Sequence, residues 1–330
     1  MSKARRLRIV QVISNFPNAW PLPPFNQGGT EKVVSDLTNA LVRKGHHVYV
    51  FAARKSRSLA RVIHYPKGMR DRGIRKFVLK RIPKNVDVIH DHTFTSTIGK
   101  ANPRIPTVCT MHLPVKHRVK NPVYVSRRAR KVMGSNSGYY VYNGILPSEY
   151  EFSSKKNGYL LFIGRILREK GVLHAISIAE RTNKRLIIAG PIKDRALYRN
   201  KIVPRIRKNP NIRYVGAVGG KKKQNLLKHA ECLLFPTIWE EPFGLVMIEA
   251  MISGTPVIAL RNGAVPEVLK GFPELICNSV NGMVKQVKRN RYPSPSALRS
   301  YVRGRFTVNH MTDNYLRIYR KVIKSGSKIR

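Results

Sequence analysis

Short runs of apolar residues alternate along the chain with longer segments whose apolar residues recur at helical spacing. In the first half these runs predict five strands, at Leu7–Ser14, His47–Ala53, Val86–His90, Thr107–Met111 and Tyr139–Tyr142. An amphipathic helix is predicted over Thr30–Lys44, and Gly45 stands where helices commonly end on a glycine. A shorter basic helix is predicted over Arg70–Arg81. Strands that alternate with helices in this way indicate a doubly wound parallel sheet.

The second half repeats the pattern after a polar segment, residues 148–158, that has the composition of a linker. Its predicted strands are Tyr159–Ile163, Arg185–Ala189, Ile212–Val215, Cys232–Phe235 and Pro256–Leu260. Its predicted helices are Lys170–Arg181, Arg195–Lys208, Lys223–Ala230, Phe243–Ser253 and Val265–Lys270. We therefore expect two Rossmann-like domains, residues 1–147 and 148–305. A terminal helix, residues 306–330, is expected to pack back on the first domain.

The composition is that of a globular protein, since 42% of the 330 residues are hydrophobic. No apolar run approaches the roughly 20 residues that a membrane span requires. The short apolar stretch after the basic start is interpreted as a first strand and not as a signal peptide. Cys109, Cys232 and Cys277 lie far apart in apolar runs and lack the spacing of a metal or redox site. Buried core thiols and a cytoplasmic location are expected.

The charge of the chain is unusual, because it contains 63 basic and 17 acidic residues and its net charge is +46. This charge divides into +22 for residues 1–150 and +24 for residues 151–330, so it does not belong to a basic tail. Such a surface attracts anionic lipid, nucleic acid or phosphorylated substrates. The alternative is a general bias toward Lys and Arg with no functional meaning.

Two carboxylates eight residues apart, Glu241 and Glu249, flank the predicted start of an apolar helix. The backbone N–H groups of Phe243, Gly244 and Leu245 open this helix and can bind hydroxyls or phosphate oxygens. Together these groups could hold a sugar and a ribose. From spacing alone the alternative is equally good: Glu241 favours the helix N-terminus, and Glu249 lies on a solvated face.

The segment that contains both carboxylates, residues 236–268, closely resembles the signature of the family 4 retaining glycosyltransferases. The resemblance extends to further motifs across the chain, namely Gln27–Glu31, Gly45–Val48, Asn143–Ile145, Phe162–Arg165 with Lys170–Gly171, and a late turn at Asn281–Gly282. It implies the α/β fold called GT-B, in which two Rossmann-like doubly wound domains face a central cleft. The donor then belongs to the second domain and the acceptor to the first.

Each site residue that the resemblance implies has a physical rationale. Arg165 and Lys170, after the first strand of the second sheet, would neutralise the donor diphosphate, next to Gly164. Glu249 is similar to the residue that accepts hydrogen bonds from the donor ribose, and Glu241 to the one that faces the transferred sugar. In the first domain, Gly28 and Gly29 would let the backbone approach the diphosphate, although an ordinary turn also explains a Gly-Gly pair.

His112 falls where the family carries a histidine near the reacting sugar, and it could orient that sugar or take a proton from the acceptor. His90 and His92 could face one ion, but no third ligand is evident, so no metal site is predicted. No Asp-x-Asp pair is present to hold a metal-bound diphosphate. The resemblance therefore implies a metal-independent enzyme without a cofactor.

The predicted function is transfer of a hexose from a UDP- or GDP-linked donor to an acceptor hydroxyl, with retention of configuration. The resemblance implies front-face displacement, because no residue is an evident covalent nucleophile. Two alternatives stay open: another GT-B enzyme, such as a nucleotide-sugar epimerase or a phosphorylase, and a basic protein that binds nucleic acid or an anionic surface. No specific nucleic acid partner is expected. The helix at Arg70–Arg81, with Ile74, Phe77, Val78 and Leu79 as its apolar side, predicts peripheral contact with the inner face of an anionic membrane.

Overall fold

The computed structural model describes residues 5–15, 20–25 and 28–327. The chain divides into two compact units, one formed by Met1–Ile145 with Thr307–Arg330 and the other by Leu146–Phe306. Each unit is a parallel sheet with connecting helices. Gln27 of the glycine-rich motif lies outside the described residues.

The first unit contains a seven-stranded sheet in the order β3-β2-β1-β4-β5-β6-β7, with every described pair parallel. Its strands are β1 (Arg8–Val12), β2 (His47–Ala52), β3 (Arg61–His64), β4 (Val88–Asp91), β5 (Thr107–Met111), β6 (Pro122–Tyr124) and β7 (Tyr139–Tyr140). Its first helices are α1 (Gly29–Arg43), α2 (Asp71–Arg81) and α3 (Arg127–Gly134). The direction of the connections reverses between β1 and β4, which is where doubly wound sheets open a crevice at the carboxyl ends of their strands.

The second unit contains a six-stranded sheet in the order β10-β9-β8-β11-β12-β13, again with every described pair parallel. Its strands are β8 (Tyr159–Ile163), β9 (Arg185–Ala189), β10 (Ile212–Tyr214), β11 (Cys232–Phe235), β12 (Val257–Leu260) and β13 (Ile276–Cys277). Its helices are α4 (Val172–Thr182), α5 (Arg195–Leu197), α6 (Val203–Lys208), α7 (Gly220–His229), α8 (Leu245–Ile252), α9 (Val265–Val268), α10 (Val280–Arg289) and α11 (Pro295–Arg305). The connections reverse between β8 and β11.

The final helix, α12 (Val308–Ser327), belongs to the first unit. Its start is joined to that unit by a parallel bridge between Ile145 and Thr307. Glycine is required at position 144 because a Cβ there would lie 2.2 Å from the Thr307 carbonyl oxygen. Tyr315 and Tyr319 on α12 are fully buried.

The strongest strand predictions are confirmed with the same bounds, because β5, β8, β9 and β11 are apolar runs buried along most of their length. The predicted end of α1 is also confirmed: Gly45 adopts a φ of 84° and donates its N–H to the Val42 carbonyl. The three cysteines are free and buried, as expected. None of the helices in the described part of the chain is both long and apolar enough to cross a membrane.

Some predictions about local structure are wrong. The apolar side of α2 faces the core and not a lipid surface, because Ile74 and Val78 are fully buried and Phe77 packs against the rings of Phe51 and Tyr65. Of the four apolar residues on this side of α2, only Leu79 is exposed, at 38%.

The other errors concern helix starts in the second unit. Asn281 and Gly282 lie in the first turn of α10 and not in a turn, because the Ser279 hydroxyl accepts the Gly282 N–H and caps the helix. The helix predicted from Phe243 begins at Leu245, because Gly244 adopts a left-handed φ of 85° before it. In the same way, the helix predicted from Lys170 begins at Val172, because Gly171 adopts a left-handed φ of 77°.

Candidate active site

The predicted donor residues of the second unit follow the two strands at which its sheet reverses direction. Arg165 and Lys170 come after β8, and Glu241 comes after β11, the neighbouring strand. Open parallel sheets bind their ligands at this point, outside the carboxyl ends of the strands. The topology therefore places two cations and one carboxylate at the point where such sheets bind their ligands.

Lys170 and Glu241 form an ion pair, with Lys170 Nζ 2.6 Å from Glu241 Oε2. Their side chains are 14% and 15% exposed, so the pair is partly shielded from water. The Lys170 ammonium also lies 5.1 Å from the centre of the Trp239 ring. Glu241 Oε1 forms no hydrogen bond with the described residues, so this oxygen is available to a ligand.

Close backbone contacts between two loops hold this ion pair together. The Glu169 carbonyl accepts the N–H groups of Ile238 and Trp239, which joins the loop after β8 to the loop after β11. Gly171 is required between them, because its φ is 77° and a Cβ there would lie 1.9 Å from the Pro236 carbonyl oxygen. The order of the strands and the glycine together place Lys170 beside Glu241.

Arg165 is exposed and forms no ion pair or hydrogen bond within the described part of the chain. It follows Gly164, where a Cβ would meet only the Phe162 ring, at 3.4 Å. The fold therefore does not itself demand glycine at position 164. By contrast, a Cβ at Gly190 would lie 1.8 Å from the Gly164 carbonyl oxygen, so glycine is required at position 190 for packing.

Glu249 lies just over one turn into α8 and is buried, which excludes the alternative that it lies on a solvated face. Its Oε1 accepts the Tyr150 hydroxyl at 3.0 Å, and its Oε2 lies 2.6 Å from Lys223 Nζ. A carboxylate has about four acceptor positions, so both oxygens can still accept a hydrogen bond from a ligand. No contact joins Glu249 to Glu241, and each carboxylate is anchored by its own lysine.

The start of α8 separates the two carboxylates. The Phe243 side chain is buried and packs edge-on against Phe306. The N–H groups of Gly244 and Leu245 have no acceptor among the described residues. The structure thus leaves these amides unbonded at a helix N-terminus, where an anion or a hydroxyl is favoured.

In the first unit, His112 directly follows β5 and is half-buried. His112 Nε2 lies 2.9 Å from Nδ1 of the fully buried His92. Burial lowers the pKa of His112 to about 3 and that of His92 well below its ordinary value, so both rings are neutral at physiological pH.

Gly28 and Gly29 begin α1, with Gly28 at the N-cap and a left-handed φ of 102°. A Cβ at Gly28 would lie 2.7 Å from Glu31 Oε2. The Glu31 carboxyl is thus close to this helix start, and burial raises its pKa.

The sequence analysis missed four residues that contact the predicted site residues directly or through one intermediate: Gln11 (through His92), Tyr150, Lys223 and Trp239. Three of them lie outside the segments whose motifs were interpreted, and no spacing rule connects Tyr150 to Glu249, which is 99 residues away. Trp239 lies inside the signature segment, where an aromatic beside two glutamates was the available signal. No cluster of three metal-ligating side chains occurs in residues 5–15, 20–25 and 28–327.

Comparison with known proteins follows the same division of the chain. Residues 148–290 match the family model described as Glycosyl transferases group 1, and residues 27–143 match Glycosyltransferase Family 4. An uncharacterized glycosyltransferase of Methanocaldococcus jannaschii is 31% identical over 149 residues, which are 39% of this chain and 38% of that protein. The chain spans less than half the length of the first curated relatives that it matches.

Two solved structures are similar over nearly the whole chain. AviGT4, a glycosyltransferase involved in avilamycin A biosynthesis, has a TM-score of 0.82 and 25% identity, with 96% of this chain and 98% of that chain covered. Anabaena HepE in complex with UDP-glucose has a TM-score of 0.74 and 15% identity, with 97% and 100% covered. The predicted fold class is thereby confirmed, and the chain belongs to the family 4-type glycosyltransferases with the GT-B fold.

Proposed function

We propose that this chain transfers a hexose from a nucleotide diphosphate sugar to an acceptor hydroxyl, with retention of configuration and without a metal ion. The observation that carries the proposal is the ion pair between Lys170 and Glu241 at the reversal point of the second sheet. The exposed Arg165 follows the same strand as Lys170. A diphosphate is the ligand that two cations at this position favour.

Lys170 and Arg165 are proposed to stabilise the diphosphate as it leaves. Negative charge develops on the leaving oxygen, and a fixed ammonium in a partly shielded site stabilises it more than water does. Glu241 holds Lys170 through Oε2 and offers Oε1 to a hydroxyl of the transferred sugar. Because these two cations supply the positive charge, the reaction as proposed needs no divalent ion.

Glu249 is proposed to accept hydrogen bonds from the donor ribose, and the free amides of Gly244 and Leu245 to bind hydroxyl or phosphate oxygens. Phe243 and Gly164 complete the proposed donor-binding set. The donor class is a uridine or guanosine diphosphate sugar. The complexes of HepE with UDP-glucose support a donor of this class.

On the acceptor side, His112 is proposed to orient a hydroxyl, and Gly28 and Gly29 to provide close backbone approach to the diphosphate. His112 stays neutral at physiological pH because burial lowers its pKa to about 3. A neutral imidazole can accept a hydrogen bond from a hydroxyl without carrying a charge.

A matched pair of lysine variants tests the proposed donor site. Lys184 forms an ion pair with Glu231 in the same unit, but this pair lies before β9 and β11, at the opposite edge of the sheet. We expect Lys170→Met to lower kcat by about 100-fold or more, and Lys184→Met to leave it within about threefold. Equal effects of both variants would contradict the proposed role of Lys170.

The assay begins with a panel of UDP- and GDP-linked sugars, each screened for thermal stabilisation of the protein and for slow hydrolysis. The products are then analysed with and without an acceptor. Release of an epimer in the absence of an acceptor would indicate an epimerase instead of a transferase. Formation of a sugar phosphate from a glycan and phosphate would indicate a phosphorylase.

We also propose that the first unit contacts anionic surfaces through charge alone. Exposed Arg75, Lys76 and Lys80 line α2, while its apolar side is buried and cannot enter a lipid layer. Each basic residue near a surface contributes about 1 kcal/mol and is screened by salt.

The test is flotation with anionic and neutral vesicles at low and high salt. Replacing Arg75, Lys76 and Lys80 with Gln should reduce recovery with anionic vesicles. Replacing the exposed Lys285, Lys288 and Arg289 of α10 changes the net charge equally and serves as the control. Equal recovery with neutral and anionic vesicles, or equal loss in both triple variants, would refute a membrane-facing role for α2.

A further inference from the structure

A hydrogen-bonded chain of side chains leads from His112 into the interior of the first unit. His112 Nε2 lies 2.9 Å from His92 Nδ1, and His92 Nε2 lies 2.6 Å from Gln11 Oε1. These residues belong to β1 or directly follow β4 and β5, three adjacent strands of the sheet. His92 and Gln11 are fully buried.

The chemistry of the amide sets the direction of these hydrogen bonds. An amide oxygen can only accept, so the Nε2 that faces Gln11 must carry the hydrogen of His92. A neutral imidazole has one N–H, so His92 Nδ1 is an acceptor. His112 Nε2 must then donate to it. The hydrogen of His112 is therefore on Nε2, and its Nδ1 has a free lone pair.

A second branch of the network is compatible with the same orientation of Gln11. Gln11 Nε2 donates to Tyr319 Oη at 3.4 Å, and that hydroxyl lies 2.6 Å from His90 Nδ1. His90 Nε2 lies 2.6 Å from Thr110 Oγ1, which lies 3.0 Å from Tyr315 Oη. When Tyr319 donates to His90, and His90 to Thr110, each of these hydrogen bonds has one donor and one acceptor. Both branches are thus satisfied by a single arrangement of hydrogens.

No charged group disturbs this arrangement. The groups that face the two central rings are Gln11 from β1, Thr110 from β5, Tyr315 and Tyr319 from α12, and the ring of His112. Asp91, between the two histidines in sequence, instead accepts hydrogen bonds from Thr93 and from the N–H groups of Ile98 and Gly99. Burial lowers the pKa of His90, His92 and His112. All three rings are therefore neutral, and the Gln11 amide that joins the two branches cannot take up a proton.

We propose that Gln11 and His92 are positioning residues that hold His112 as its Nε2–H tautomer, so that His112 Nδ1 is presented to a substrate hydroxyl as a neutral hydrogen-bond acceptor. No described residue forms a hydrogen bond with His112 Nδ1. The substrate part of this inference rests on the proposed function, whereas the tautomer rests on the hydrogen bonds alone. Fixing the tautomer orients the hydroxyl before the reaction, which lowers the barrier through positioning.

Nitrogen NMR of the full chain with ¹⁵N-labelled histidine tests the tautomer directly. The His112 signals are assigned with His112→Gln, and those of His92 with His92→Asn. We expect one slowly exchanging tautomer for His112 at pH 7, with hydrogen on Nε2 and a lone pair on Nδ1. A hydrogen on Nδ1, or rapid averaging of both tautomers, would overturn the inference.

Two substitutions at His92 separate positioning from a merely structural role. The Asn oxygen can stand near the place of His92 Nδ1 and accept from His112 Nε2, whereas Leu has no acceptor. We expect His92→Leu to average the His112 tautomers and to lower kcat at least tenfold, with the donor KM within about twofold. His92→Asn should keep the His112 tautomer and recover most of that loss. Equal losses in both variants would overturn the inference, and should His92→Leu not fold, the wild-type NMR result still decides.

These measurements distinguish the two proposals. A protein that shows the Nε2–H tautomer but transfers no sugar refutes the proposed function and leaves the tautomer in place. A protein that transfers sugar while His112 averages both tautomers refutes the positioning role alone.

Discussion

Replacing Glu249 by Gln gives the most informative test of the donor site, because the carboxylate has two separable roles. It accepts the Tyr150 hydroxyl through Oε1 and pairs with Lys223 through Oε2. It is also proposed to bind the donor ribose. Gln keeps the size of the side chain and an oxygen for Tyr150, but it removes the negative charge and can place an N–H group against the Lys223 ammonium.

The structural cost of this substitution is moderate. A hydrogen bond to a charged group contributes about 1.5–3 kcal/mol. The Lys223 side chain is 26% exposed, so solvent screening reduces this value to about 1–2 kcal/mol. For a unit of this size such a loss lowers the unfolding midpoint by about 2–8 °C. The protein is therefore expected to be folded at 20 °C, where binding is measured.

The effect on binding should be larger than the effect on stability. Loss of a charged acceptor for the ribose hydroxyls costs about 1.5–3 kcal/mol, which weakens nucleotide binding about 10- to 100-fold. Calorimetry measures the Kd of the nucleoside diphosphate that stabilises the wild-type protein most among UDP, GDP and ADP.

Lys223→Met is the matched control, because it breaks the same ion pair but keeps the carboxylate. We expect it to lower the unfolding midpoint by a similar amount and to leave the Kd within about threefold. The reasoning is refuted if Glu249→Gln binds the nucleotide as tightly as the wild type. It is also refuted if Lys223→Met loses as much affinity, since the effect would then come from the broken ion pair.

Three further outcomes are expected. Activity should persist in excess EDTA, and a complete loss that Mg²⁺ or Mn²⁺ restores would contradict a metal-independent reaction. Stability should fall as the pH drops from 7 to 5, because the folded pKa of His112 is about 3 while the unfolded value is about 6.5 and the unfolded state binds the proton first. His112 alone contributes about 2 kcal/mol to this loss. Urea unfolding of His112→Gln should therefore show a smaller difference in the free energy of unfolding between pH 7 and pH 5 than the wild type. An equal difference would contradict the assignment. Gly164→Ala should keep the unfolding midpoint and weaken nucleotide binding. Gly190→Ala should instead lower the unfolding midpoint, because its Cβ would lie 1.8 Å from a carbonyl oxygen. Equal destabilisation by both variants would show that glycine at position 164 is needed for folding.

The central strands could be predicted from the sequence because a strand buried on both faces is a continuous apolar run. Strands β5, β8, β9 and β11 are of this kind, and each is predicted with its observed bounds. The edge strands β7 and β13 have only two residues each, too few for any periodicity. Strands β3, β6 and β13 are not predicted at all. Helices α3, α10 and α11 are missed although Ser126, Ser279 and Ser294 cap them, because their basic residues mask the apolar spacing.

The sequence by itself determined the family, the two α/β halves and the residues of the donor motif, since all of these are carried by local patterns along the chain. Only the tertiary structure decided what those residues contact. The strand order places Lys170 against Glu241, and the linker places Tyr150 against Glu249. Three adjacent strands and the last helix assemble Gln11, His92, His112 and Tyr319 from segments up to 308 residues apart. Hydrogen bonds of this kind depend on distances of a few ångströms between remote parts of the chain, and residue type and spacing do not contain that information.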